Sequence, residues 1–206
     1  MAWFEEKQMI AAMKRQITRA DILPMSDYGR ERKSLRVDMV AVKKNRRVEV
    51  GPIATFYFEN YQTMWHQVHE MLFIEKGGEG QIADELAAYN PLIPQGDELV
   101  ATVMLEIEDP VRRARVLSGL GHIEDHMYLE VAGTRINALS ETDVERTTDE
   151  GKTSSVHFIR FKLTPAQIAE FRKPGTRVLL GIDHVNYGHI AVMSDATRNA
   201  LAADFA

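Results

Sequence analysis

The sequence predicts an α+β fold, a mainly antiparallel sheet with helices packed on it and an N-terminal helical arm. Three observations lead there. Short apolar and β-branched runs meet at hairpin signals, most clearly where Ala132-Gly133 separates Met127 to Val131 from Thr134 to Leu139. Helical segments with capping residues are interspersed among those runs. The composition, 45% hydrophobic and 27% charged over 206 residues, is that of a globular chain able to bury a core without disulfides or metal staples. No internal repeat, Pro/Ser linker or low-complexity tract divides the chain, so residues 1–206 read as one domain with a helical extension over 1–17.

Met9, Met13 and Ile17, spaced by four, make Met1 to Thr18 a helical arm. Asp21-Ile22-Leu23-Pro24 breaks it, and a helix follows from about Asp27 with Ser26 as N-cap. Val48 to Val50 and Ile53 to Phe58 are short strands about Gly51-Pro52, since proline there fits only a turn or an edge. A helix runs from about Asn60 to Lys76 and ends at Gly77-Gly78. Another covers Gln81 to Tyr89 and stops at Asn90-Pro91, because the residue before proline is pushed out of the α region. Leu99 to Ile107 has the content of a buried strand, and Asp109-Pro110 opens a helix with Asp as cap and Pro at its first position. Beyond the hairpin, Ser140 to Thr153 is polar and aperiodic, a loop. Val156 to Leu163 is a strand, and Thr164-Pro165-Ala166-Gln167 carries a capping box. Arg177 to Ile182 and His189 to Met193 are further strands, and a last helix starts near Ser194.

Charge is uneven. The net charge is −5, yet residues 1–50 hold 12 Lys/Arg against 7 Asp/Glu, leaving the rest near −10. Eight basic residues lie between Arg30 and Arg47, facing only Glu31 and Asp38. Such a stripe can bind phosphate backbones by releasing counterions. The same stretch also carries Leu35, Met39 and Val42 at helical spacing, so its cations also fit a solvated helix face. No aromatic interleaves to stack bases, and an acidic remainder repels polyanions, so nucleic acid is the least favoured partner. The longest stretches without Asp, Glu, Lys or Arg are 11 residues, Leu86 to Gly96 and His184 to Ser194. A spanning helix needs about 20. Charges at Glu5, Glu6 and Lys7 with no apolar region after them argue against a signal peptide, and a cytoplasmic location is expected. Zero cysteines exclude disulfides, thiolate metal sites and thiol catalysis.

The common catalytic templates fail. Gly151-Lys152-Thr153 lacks the glycine that a P-loop needs five positions earlier, where Arg146 stands. Gly78-Glu79-Gly80-Gln81-Ile82-Ala83 matches a dinucleotide fingerprint on paper but follows a helix rather than a strand. His69-Glu70 has no second histidine at metalloprotease spacing, no Glu-x-x-His pair marks a di-iron bundle, and no Gly-x-Ser-x-Gly elbow occurs.

What remains is polar residues inside apolar elements. On the wheel of the Asn60 helix, Tyr61, Met64, Trp65, Val68, Met71 and Leu72 make an apolar face. Asn60, Thr63, Gln67 and Glu70 flank it, while His66 and His69 point with Phe73 to a side expected to face solvent. Polar groups beside methionines need hydrogen-bond partners or a ligand. Gly121-His122-Ile123-Glu124-Asp125-His126 sets four ionisable side chains in one turn, a spacing that permits a nitrogen/oxygen metal site or a solvated turn. Asp183-His184, with Asn186, Tyr187 and His189 after it, sits at a strand end where a scaffold can present ligands. His157 and Arg160 lie on opposite faces of one strand, and Arg160 is placed to hold an anion or a carboxylate such as Glu130.

These segments resemble a known family. ATFYFENYQTMWHQVHEM from Ala54, YNPLIP from Tyr89, GHIEDHMYL from Gly121 and GIDHVNY from Gly181 are collinear with the uncharacterised bacterial family called domain of unknown function 3501. The resemblance spans roughly Thr18 to Val192, with Met1 to Ile17 as an extension. It implies emphasis on Glu59, Asn60, Gln67, Glu70, Glu124, Asp125, His126 and His184, and none on His66, His69 or His122. No activity comes with the family. Its members' neighbourhood of rubrerythrin-like and iron–sulfur proteins implies redox or stress metabolism, by association only.

Two functional expectations follow. The first is a divalent metal (Fe, Zn or Mn) or a small polar ligand. Glu70, His126 and His184 would be the metal ligands, a two-His-one-carboxylate set. Asp125 or Asp183 would orient a histidine, and Asn60, Gln67, Glu124 and Arg160 would line the ligand. The alternative is a non-enzymatic interaction protein, a homodimer or an accessory to a redox or iron–sulfur protein. It would use the basic helix and the Met-rich arm as contact surfaces, with no metal.

Overall fold

Pro24, not Ser26, starts the first helix. The computed structural model describes residues 14–140, 146–149 and 151–206. Helix α1 spans Met25–Lys44 with Pro24 at the N-cap position, ψ 135°. The Pro24 carbonyl accepts from the Asp27 and Tyr28 amides at 2.9 and 3.0 Å, and proline leaves no orphan N–H of its own. The Ser26 hydroxyl is spent on Asp27, 3.1 Å away. Most of the expected helical arm, with Met9 and Met13, lies outside the described residues. Residues 14–18 are not helical. There the buried Ile17 is clamped by Asn90, whose side-chain oxygen accepts the Ile17 amide at 2.7 Å while its amide donates to the Ile17 carbonyl at 3.0 Å.

Strands β1 (Arg47–Val50), β2 (Ala54–Glu59), β3 (Glu98–Leu105), β7 (Val156–Lys162) and β6 (Leu139–Ser140) pair antiparallel in the order β1-β2-β3-β7-β6. A second antiparallel sheet runs β5 (Thr134–Asn137), β4 (Met127–Val131), β8 (Val178–His184) and β9 (Tyr187–Val192). Ala132 and Gly133, with φ of 49° and 82°, make the β4–β5 turn, both residues left-handed as a two-residue hairpin requires. Thr134 to Leu139 is therefore not one strand. Ala138 bonds Met127 and the chain then crosses, so that Leu139–Ser140 joins β7 in the first sheet.

The helices begin where their caps dictate. Asn60 caps α2 (Tyr61–Glu75), Asp109 caps α4 (Pro110–Leu117), Thr164 and Gln167 form a reciprocal box on α5 (Pro165–Arg172), and Ser194 caps α6 (Asp195–Ala202). Helix α3 spans Glu79–Tyr89.

Two cores result. Between the sheets, Phe56, Phe58, Leu99, Val103 and Phe161 meet Met127, Leu129, Leu180 and Ile182, with Phe171, Leu201 and Phe205 from the C-terminal helices and tail closing one side. Across the first sheet, Val100 and Phe158 face Met64, Val68 and Leu72 of α2 and Ile82 of α3. The first sheet is thus buried on both faces, which is why β2 and β3 lack polar alternation. Among the described residues no helix is long and apolar enough to cross a membrane.

Candidate functional site

The Gly121–His126 turn leads into β4 between the two sheets. His122 takes a left-handed φ of 59°, its amide bonded to Thr147 Oγ1 at 2.9 Å. A single 3-10 turn over Ile123–His126 then sends its side chains to different places. Glu124 turns inward, 7% exposed, with Oε2 3.4 Å from Nδ1 of His157, which is 1% exposed on β7. His157 Nε2 lies 2.9 Å from the Ser154 carbonyl. A carbonyl can only accept, so Nε2 carries a proton, and a neutral ring presents its Nδ1 lone pair to the carboxylate. Two hydrogen-bond acceptors thus face each other across that gap. Among the described residues neither Glu124 Oε2 nor His157 Nδ1 has another hydrogen-bond partner. Burial holds His157 below the usual histidine range, with Glu124 pulling the other way. Asp125 is exposed.

His126 turns outward. Its Nδ1 lies 3.2 Å from Asp183, which also accepts from Arg135 at 2.7 Å. Those two donors hold the Asp183 carboxyl below its usual range. Arg135 lies over the Tyr128 ring at 3.9 Å, and Tyr128 in turn covers Gly181, where a Cβ would sit 2.3 Å from the ring. The His126 and His184 rings meet edge to face at 5.1 Å. His184 is nonetheless committed. Its Nδ1 accepts the Asn186 amide at 3.2 Å, and its other bond, to the Gly121 backbone, is then a donation.

Glu70 lies elsewhere. On α2 it accepts both Arg32 nitrogens at 2.8 Å and the Tyr28 hydroxyl at 2.7 Å, contacts that hold its carboxyl down at about 2. The expected metal centre is therefore corrected. Glu70 is claimed by α1, His184 has no free lone pair, and His126 has only Asp183 with it. Among the described residues no group of three or more His, Cys, Asp or Glu side chains could hold a metal ion. The Fe, Zn or Mn expectation fails on that geometry.

The other polar residues, Gln67 apart, find protein partners. Asn60 caps α2, accepting the Thr63 amide at 3.0 Å. The Glu59 carboxylate accepts from Thr63 at 2.6 Å and Thr102 at 2.8 Å. Arg160 turns opposite to His157, as expected, but its carboxylate is the fully buried Glu98 at 3.5 Å rather than Glu130. It also donates to the Pro91 carbonyl at 3.3 Å. Gln67 is half-buried, with no side-chain hydrogen bond among the described residues.

His66 and His69 do not face solvent. Helix α1 covers them, leaving His66 9% and His69 0% exposed. His69 Nδ1 donates to the Trp65 carbonyl at 2.7 Å, Nε2 accepts the Leu23 amide at 3.0 Å, and the ring lies between Tyr28 and Trp65 at 4.9 and 4.0 Å. His66 Nε2 is buried with no partner among the described residues.

Helix α1 itself is thinly buried. Of its 20 residues only Tyr28 and Met39 are buried. Leu35 and Val42 are half-covered, while Val37 and Val40 are 66% and 72% exposed. At about 100° per residue, Val37, Val40 and Ala41 share one outward sector with Arg30, Lys33 and Lys44, bordered by Arg36 and Lys43 on one side and Glu31 and Asp38 on the other. Arg30 pairs with Asp27, but Lys33, Arg36, Lys43 and Lys44 have no ion pair among the described residues. The sequence held a signal for this face in Val37 and Val40, which lie off the Leu35–Met39–Val42 stripe.

Comparison with curated proteins gives no match. Among solved structures, the chain is similar to a crystal structure of a novel protein of unknown function from Burkholderia pseudomallei K96243. The identity is 36% and the TM-score 0.86, over 93% of this chain and 100% of that one. A family model described as "Protein of unknown function (DUF3501)" matches residues 16–205, and the chain belongs to that family.

Proposed function

We propose that this protein is a non-enzymatic interaction protein that binds an acidic, partly apolar segment of another protein along the outer face of α1. One observation carries the reading: a 20-residue helix buries two residues while Val37 and Val40 stand exposed beside Lys33 and Lys44, which have no ion pair among the described residues. A contiguous exposed apolar patch rimmed by charged residues marks a contact surface, and flanking Lys and Arg steer a partner of opposite charge. A second copy offering the same face would set Arg30, Lys33 and Lys44 against their own counterparts. The partner is therefore a different protein, and an acidic redox or iron–sulfur protein is the class that the family resemblance favours.

The test is fluorescence anisotropy with a labelled helical peptide of leucine and glutamate, on wild type and on Val37→Asp/Val40→Asp. The wild type should bind more weakly as salt rises, and the variant should lose about tenfold or more in affinity, roughly 1.4 kcal/mol. Both positions are exposed, so stability should move by no more than about 0.5 kcal/mol. Absence of binding at low salt, or binding indifferent to the substitutions, would overturn the reading. So would tighter retention of duplex DNA than of the peptide.

A further inference from the structure

Beneath the α1 face lies an imidazole without a counterpart. His66 is 9% exposed, and its Nε2 is the buried side-chain atom left without a partner between α1 and α2 among the described residues. The charged and titratable groups that face it come from both helices. Its own helix offers Glu70 and His69, and α1 offers Arg32, Arg36 and Lys43. Glu70 and Arg32 are already spent on each other in a two-pronged ion pair. Arg36 and Lys43 are spent on nothing among the described residues. Seven residues apart, they project from the same flank of α1, about 20° apart on the wheel and about 10 Å along the axis, within reach of one shared anion. Two cations with no ion pair among the described residues thus border a desolvated ring.

We propose that this Arg36–Lys43 flank of α1 is a proton-linked carboxylate site. A carboxylate of the acidic partner settles between Arg36 and Lys43, and His66 takes up one proton from solvent as it binds. This rests on the reading of α1 as the contact face and names the chemistry at one point of it. In the free protein, burial together with Arg36, Lys43 and Arg32 keeps the His66 ring neutral, against the pull of Glu70. A carboxylate over the two cations cancels part of their field at the ring, which favours the charged imidazole. The bound state then holds a proton that the free state lacks, and affinity rises as pH falls.

The experiment titrates the same leucine–glutamate peptide into the full chain calorimetrically, in two buffers of different ionisation enthalpy and across a series of pH values. Wild type should take up close to one proton per peptide, and affinity should rise up to about tenfold per pH unit on acidification below about 6.5. His66→Gln should still bind but take up no proton and lose the pH dependence. His66 ring resonances in the wild type, titrated with and without peptide, give a second readout that needs no variant. They should show the ring protonating at higher pH when the peptide is bound. Peptide binding without proton uptake, uptake that survives His66→Gln, or an unmoved ring titration would overturn the site while leaving the α1 contact face standing. No binding by the wild type at any pH would overturn both.

Discussion

Glu124 Oε2 and His157 Nδ1 meet at 3.4 Å, tying the Gly121–His126 turn to β7 and so one sheet to the other. Removing one member leaves the other buried without a counterpart. Glu124→Leu or His157→Leu alone should cost about 3–5 kcal/mol, the usual penalty for breaking a buried pair from one side. The double replacement Glu124→Leu/His157→Leu should cost clearly less than the two single changes added together, because it leaves neither polar group stranded. Urea denaturation of the four proteins in a double-mutant cycle checks this. Additive losses would mean that the two groups do not sense each other.

Burial holds His66, His69, His157 and His184 below the ordinary histidine range. The sign follows from linkage. Above about pH 6.5 these rings are neutral in both states and cost nothing. As pH falls below that value the unfolded chain takes up protons that the folded chain refuses, and stability drops. His69 makes the point atomically, since protonating Nε2 would expel the Leu23 amide. Glu70 and Asp21, both held at about 2, withdraw their contribution only below about pH 4.5. Stability measured by urea should therefore be level above pH 7 and fall between 6.5 and 4.5, with His69→Phe falling less steeply. A flat profile over that window would contradict the burial of these rings.

Local chemistry made most elements legible. The caps at Asn60, Asp109, Thr164 and Ser194 act through side chains three residues from their targets, so the sequence alone placed those helices. Helix α3 also stops at Tyr89, but not for the expected reason: Asn90 before Pro91 keeps α-helical angles, φ −59° and ψ −37°, and the chain tightens into a 3-10 turn over Asn90–Leu92. What stayed hidden needed a distant partner. His66 and His69 looked solvated because nothing near them in sequence says that α1 folds over their side of α2. Glu70, His126 and His184 made a plausible ligand set by residue type, yet Arg32, Asn186 and the Gly121 backbone had claims on two of them that only the fold discloses. The crossing at Ala138 was invisible for a similar reason, because Leu139 and Ser140 find their partners in β7 rather than in the hairpin they follow.

Tyr128 lies across Gly181 with its Oη and Cζ at 2.5 and 2.3 Å from where a Cβ would be. No side chain fits beneath it without moving the ring, and Arg135 stacks on that ring while holding Asp183. Gly181→Val should therefore lift Tyr128 and cost about 1–3 kcal/mol, the range for overpacking. Tyr128→Ala in the same chain should recover part of the loss. Thermal melts of the three variants decide it. Equal melting temperatures for Gly181→Val and wild type would show that the ring is not held there.

Arg46 is the nearest thing to a keystone at the chain's C-terminal end. Only 4% exposed, it donates to the Phe58 carbonyl at 2.9 Å, the Glu59 carbonyl at 3.0 Å and the Ala200 carbonyl at 3.4 Å, and it pairs with the buried Asp204. Those contacts bind the start of β1, the end of β2 and the last helix to one guanidinium. Burial pushes the Asp204 carboxyl up, and Arg46 opposes it. Arg46→Met keeps the stem volume but strands Asp204 and three carbonyls, so it should cost about 3–5 kcal/mol. Asp204→Asn leaves the guanidinium its three carbonyls and should cost less. In the Arg46→Met protein, Asp204 has lost the cation that kept it charged, so its carboxyl should protonate at still higher pH. Adding Asp204→Asn to Arg46→Met should therefore restore stability near neutral pH and change little in acid, where the carboxyl is already neutral. Urea melts of the single and double variants at pH 7 and pH 4 would show it, and an unchanged difference between the two pH values would mean that Asp204 carries no charge in the fold.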